Sequence, residues 1–279
     1  SDILLTSGLH GTLYESAIPT GRICARNGTD VLEYLQKVRD YEQAQAGPPQ
    51  PWMKEILHFG GGNDPGQQAQ LSSYLDDFKG LMEGPSLGGK VTTYLKFSTG
   101  PIVINQSDSL QAQIDSGVAV MTFFGHASGS GFDQSTDEPS AYNNRGRYPI
   151  VVANSCYAGD FHTSQKSVSE KFVLEPGKAA IGFIASVGLG IPQDLFLYSH
   201  AFFDNASRLS YGATVGQLMQ KAVRTIQVPN AENIKAVCQE MSLNGDPAIK
   251  INHWEKPDLT VSESSIKFSP STVNADMDT

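Results

Sequence analysis

A chain of 279 residues is long enough for one large α/β domain, or for one domain and part of another. With 39% hydrophobic and 18% charged residues it reads as globular, and disorder is excluded. A formal net charge of −9 without any Lys/Arg block argues against nucleic acid as a partner, because phosphate binding needs a clustered basic surface.

The opening residues, Ser1-Asp2-Ile3-Leu4-Leu5, lack the basic start and long apolar stretch of a signal peptide, and with no Met ahead of them a fragment or mature product is expected. Cys24 falls in a buried-looking strand. An amphipathic helix is predicted over 30–44, with Asp30 as its N-cap. Strand-like runs at 55–59, 91–95, 118–124, 150–153 and 179–184 then alternate with helical stretches at 67–82, 107–115 and 168–174. Pro65 suits the first turn of the helix over 67–82. The runs are short, β-branched or aromatic, and continuous, as strands buried on both faces are. They predict a largely parallel sheet flanked by helices. No apolar run reaches the ~18 residues of a membrane span, and the longest, 179–190, is broken by glycines. Helices over 193–206, 214–225 and 231–239 follow, then a last strand over 248–252. Composition shifts at 254–258, after which 259–262 and 266–270 alternate with period two, as the first strands of a truncated β-sandwich (Ig-like) domain would. The expected division is an α/β domain over 1–253 and a linker with those first strands over 254–279, within a longer multidomain chain.

Two strand ends carry chemistry. The run 118–124 exits into Gly125-His126-Ala127-Ser128-Gly129, and 150–153 exits into Asn154-Ser155-Cys156-Tyr157-Ala158-Gly159-Asp160. In an open parallel sheet the carboxyl ends of the strands line the crevice where ligands bind. If these strands are neighbours, ~4.8 Å apart, imidazole and thiol open into one crevice, as a base and its nucleophile must. Small residues on both loops would let a peptide approach and leave main-chain N–H groups free for an oxyanion. The bland reading is a small buried thiol and a solvated turn histidine. Cys24, Cys156 and Cys238 are too few and too widely spaced for a disulfide framework or a CxxC zinc site. His162 and Asp160 near Cys156 match no common zinc spacing. The loop Gly60-Gly61-Gly62-Asn63-Asp64-Pro65 fails the last position of a dinucleotide fingerprint and has no Walker lysine. No serine sits in a G-x-S-x-G elbow.

Ordered landmarks then bring a family into view. They are Gly21-Arg22-Ile23 with Lys37 and Tyr41-Glu42, Trp52 before a strand and its Gly-Gly exit, Gly125-His126, Cys156 with Gly159-Asp160-Phe161, Ile184-Ala185-Ser186, and Gly245-Asp246-Pro247. Over nearly all of 1–253 the chain resembles the gingipain-type cysteine peptidases of family C25, which share the caspase-like fold. The resemblance implies a cysteine endopeptidase with Cys156 as nucleophile and His126 as base, acting through a thioester. It further implies backbone oxyanion donors at Ala127 and Cys156, and a substrate pocket walled by Ile184, Ala185, Ser186 and Val187. Family members that select arginine carry two acids. One holds the histidine at the Gly-Gly exit, where Phe59 or Gly60 stands here. The other meets the substrate's basic side chain about eleven residues on, where this chain reads Gln67-Gln68-Ala69-Gln70. Gln67 and Gln70 are therefore counted to the pocket, and no strong Arg or Lys preference is expected, since an unpaired buried guanidinium is costly. Asp133 is the candidate for orienting His126. His162 is a rival base, but reads more simply as a surface residue, and His58 reads as structural. No cofactor is required; Asp133, Asp137 and Glu138 could hold a structural calcium, although a solvated loop is the simpler reading. The partner expected is a protein or peptide substrate, with neither nucleic acid nor a membrane-spanning segment, and the resemblance places the chain outside the cell or on its surface. The same fold also serves sortase-like transpeptidases and could serve a silent binding or adhesion module.

Overall fold

In a computed structural model, residues 2–9, 11–100, 103–104, 108–128, 131–135 and 138–253 are described. The strands are β1 Glu55–Gly60, β2 Lys90–Leu95, β3 Val103–Ile104, β4 Val120–Phe124, β5 Ala127–Ser128, β6 Gly131–Phe132, β7 Gln134–Ser135, β8 Ile150–Asn154, β9 Gly182–Ser186 and β10 Met241–Gly245. The α-helices are α1 Gly28–Ala46, α2 Pro65–Met82, α3 Asp108–Ser116, α4 Val168–Val173, α5 Pro192–Asp204, α6 Val215–Ile226 and α7 Glu232–Glu240. Six strands form one sheet in the order β10-β9-β8-β4-β1-β2, while β3 pairs with β7 and β5 with β6. Every neighbour in the large sheet is parallel except β10, which runs antiparallel to β9.

Alternation along β4 sends its two phenylalanines to opposite faces. Phe124 meets Tyr74 and Phe78 of α2, and Phe78 in turn meets Phe196 and Phe203 of α5. Phe123 meets Phe132, behind which stand Phe183 and Phe172 of α4. Helix α1 lies on this second face. The buried Lys37 amine, which desolvation pulls down to about 7, donates to the carbonyls of Phe172, Val173 and Glu175 at the end of α4, and Tyr34 donates to Ile181 O. A donor there satisfies carbonyls left open at the helix end. The α/β sheet flanked by helices is the architecture expected from the sequence.

Three details differ from expectation. Helix α1 begins earlier, because Asn27 rather than Asp30 caps it: the Asn27 side chain accepts the Asp30 N–H, and Asp30 accepts the N–H of Arg26. Residues 248–252 form no strand. Ile249 and Ile251 are buried in alternation, yet the segment makes a single bridge, Thr214 to Lys250. The last sheet strand is β10, which follows α7 directly and so is masked in sequence by the helical pattern ahead of it. The β-sandwich expected over 254–279 lies outside the described residues.

The N-terminal segment lies along the open edge of β10. Arg22 N–H donates to Leu243 O, and Gly245 N–H donates back to Arg22 O. Cys24, half-buried, belongs to this segment and not to a strand of its own.

Candidate active site

Strands β4 and β8 leave the sheet side by side. Their register pairs Phe124 with Asn154, and His126 and Cys156 each stand two residues beyond that pair. The topology therefore brings the two predicted site residues to one edge, on adjacent strands, at equal height. His126 is exposed and Cys156 half-buried. The turn holding the thiol is strained, since Tyr157 takes φ +55°, a region a bulky residue rarely visits. Hydrogen bonds hold that turn against the next exit: Tyr157 N–H donates to Gly188 O, and Gly159 N–H to Ser186 O. Cys156 Sγ sits against Gly190, accepting its N–H at 3.3 Å and donating to its carbonyl at 3.7 Å.

Asp133 does not reach the His126 ring. Its carboxylate accepts the main-chain N–H of His126 through Oδ1 at 3.1 Å and that of Gly62 through Oδ2 at 2.8 Å, while its own N–H donates to His126 O. Lys96, one residue beyond β2, places Nζ 3.4 Å from the same carboxylate, with the two side chains 0% and 5% exposed. This pair thus ties the exits of β1, β2 and β4 together. Two glycines make the room: a Cβ on Gly61 would overlap Asp133 Oδ1, and one on Gly125 would stand 2.5 Å from it. The expectation that Asp133 orients the imidazole is corrected to a hold on the backbone beneath it. Its carboxylate is paired with Lys96. Asp137 of the suggested calcium set lies outside the described residues, and no group of three His, Cys, Asp or Glu among the described residues could hold a metal.

The ring itself meets Gln67, whose Oε1 lies 2.9 Å from His126 Nε2. Gln67 stands in the first turn of α2, where Asp64 caps the helix by accepting its N–H. Gln70 turns elsewhere, its amide donating to Tyr74 OH, which donates to Gln193 Oε1. Of the predicted pocket wall, Ile184, Ala185 and Ser186 are buried in β9 and Val187 is half-buried. Ile184 and Ala185 are part of the core, and in the turn after β9 Leu189 and Ile191 are exposed.

The other histidines and thiols singled out in the sequence stand apart from this edge or are buried. His162 is exposed and packs its ring on Phe161, and His58 is fully buried in β1. Burial pushes the thiols of Cys24 and Cys238 up to about 12. Lys96 and the ring contact of Gln67 escape a reading of the sequence, because both depend on which strand exits meet.

Among curated proteins there is no sequence match. Solved structures share the fold at low identity. The Arg-specific cysteine proteinase gingipain R (RgpB) matches with a TM-score of 0.71 at 12% identity over 88% of this chain. The complex of Porphyromonas gingivalis RgpB pro- and mature domains gives 0.68 at 12% over 85%, and a structure described as a protease gives 0.67 at 16% over 85%. The chain spans 59%, 57% and 56% of those three chains. The profile of peptidase family C25 matches residues 2–252, and the chain belongs to that family.

Proposed function

We propose that this chain is a cysteine endopeptidase acting on protein or peptide substrates through a Cys156–His126 dyad. One observation carries the reading: both residues follow an in-register pair on adjacent parallel strands, at the end of the sheet where such folds bind ligands. His126 takes the Cys156 proton, and the thiolate attacks the substrate carbonyl. The main-chain N–H groups of Ala127 and Cys156 are the candidate oxyanion donors. The protonated imidazole then gives its proton to the leaving amine, and the thioester left on Cys156 is cleared by water.

The specificity reading rests on α2. Where an acid would meet a basic side chain, this helix offers Gln67, Gln68 and Gln70, and its nearby acid, Asp64, is occupied as the helix cap. No strong preference for Arg or Lys before the cut is expected. No helix among the described residues is long and apolar enough to cross a membrane; the family points to a secreted or surface protein.

The test is labelling with a thiol-reactive peptidyl probe together with cleavage of a peptide library. Saturable labelling that vanishes in Cys156→Ala supports the enzyme. Labelling spread evenly over Cys24 and Cys238 refutes it, and cleavage dominated by a basic residue overturns the specificity.

A further inference from the structure

Gln67 was counted to the pocket, yet its carbonyl oxygen holds two donors. Asn63 N–H donates to Oε1 at 2.8 Å, and His126 Nε2 lies 2.9 Å from the same atom. A backbone N–H can only donate, so the atom between them is the amide oxygen and not its nitrogen. An oxygen already facing a donor still accepts and never donates. The hydrogen on the second contact must therefore belong to His126 Nε2.

We infer that Gln67 is the positioning residue of the catalytic histidine, fixing the neutral ring as its Nε2–H tautomer and leaving Nδ1 as the basic atom. This rests on the dyad proposed above and deepens it. The proton leaves Cys156 Sγ for the Nδ1 lone pair; the imidazolium then carries hydrogen on both nitrogens, and Nε2–H keeps its bond to Gln67. An amide offers the growing cation a dipole where a carboxylate would offer a full charge. A dipole stabilises the imidazolium less than a full charge would. Other charged groups around the loop leave that balance in place. Asp133 lies on the His126 backbone and is answered by Lys96, and Asp64 is turned to the Gln67 N–H. The Cys156 thiol stands on the adjacent strand exit.

Ring ¹⁵N spectra and the His126 titration in a Cys156→Ala protein test this without needing turnover. The expected result is hydrogen on Nε2 at neutral pH, with Gln67→Glu raising the His126 midpoint by about one pH unit. Ala69→Glu is the charge control, placing the same charge two residues along the exposed side of α2, and it is expected to raise the midpoint by much less. A ring protonated on Nδ1 overturns the inference even if Gln67→Glu fails to fold. So does a Gln67→Glu shift no larger than that of the control. If Cys156 of the native protein resists the peptidyl probe while His126 shows the expected tautomer, the dyad reading fails and the Gln67 contact stands.

Discussion

Desolvation sets Cys24 and Cys238 apart before any partner is considered. With Cys24 and Cys238 pushed up to about 12, roughly one molecule in 10⁴ carries either thiolate at pH 8. Brief alkylation with iodoacetamide at that pH is expected to modify Cys156 and spare the others, read by peptide mass mapping; comparable labelling of Cys238 would defeat the assignment. His58 is the second residue with a sharp consequence. Both ring nitrogens lack a hydrogen bond of normal geometry, and its register neighbours Thr93 and Thr122 also carry unpartnered hydroxyls. Burial pulls it down to about 3, and the nearby Leu75 backbone offsets only part of that. Between that value and the unfolded value near 6.5, the unfolded chain binds a proton the native protein refuses, so stability falls on acidification. From pH 6.5 to 4.5 the loss is about 2–3 kcal/mol. Guanidinium melts at both pH values are expected to show this loss shrinking in His58→Leu, and equal losses in the two proteins would contradict it. The strands leading to His126 and Cys156 were legible in sequence because each is a short, continuous apolar run. Lys96 was not, since its partner lies 37 residues away and nothing in one dimension says their exits touch.

At the scale of elements, the buried pair of Lys96 and Asp133 is what holds three strand exits in one arrangement. Removing one member leaves a bare charge in the interior, so Asp133→Ala is expected to cost about 3–5 kcal/mol in chemical denaturation. The double variant Lys96→Met with Asp133→Leu should regain most of that, because a well-packed apolar pair replaces the ions. It should not regain peptidase activity, since the N–H groups of Gly62 and His126 lose their acceptor in either protein. Recovery of both together would reduce the pair to a stability feature. The strands and helices themselves were largely readable. The N-cap of α1 was missed by three positions because both Asn27 and Asp30 are good capping residues and the choice is settled by backbone conformation. Strand β10 was missed because an antiparallel strand that starts where a helix stops has no turn residue to announce it.

Over the whole molecule, residues 2–26 couple the β10 edge of the sheet to the loop behind Cys156. Arg22 pairs with Asp2 and lies over the Phe161 ring at 4.9 Å, while Arg26 donates to Ser164 O and pairs with Glu170. Phe161, Ser164 and Glu170 all belong to the segment between Cys156 and α4 or to the first turn of that helix. Truncation of residues 1–26 is expected to open 157–170 to limited proteolysis and to slow Cys156 labelling about tenfold or more, since small displacements of a nucleophile are costly. Unchanged labelling after truncation would show the contacts to be incidental.

The seam between Arg22 and β10 also constrains how the protein comes into being. Cys24 N–H reaches the side chain of Asn244, 220 residues further on. At about 5–20 residues per second, a ribosome needs some ten seconds or more to travel that distance. The segment around Cys24 therefore waits without its partner until Asn244 has been synthesised, and the edge of the sheet beside β10 is paired late.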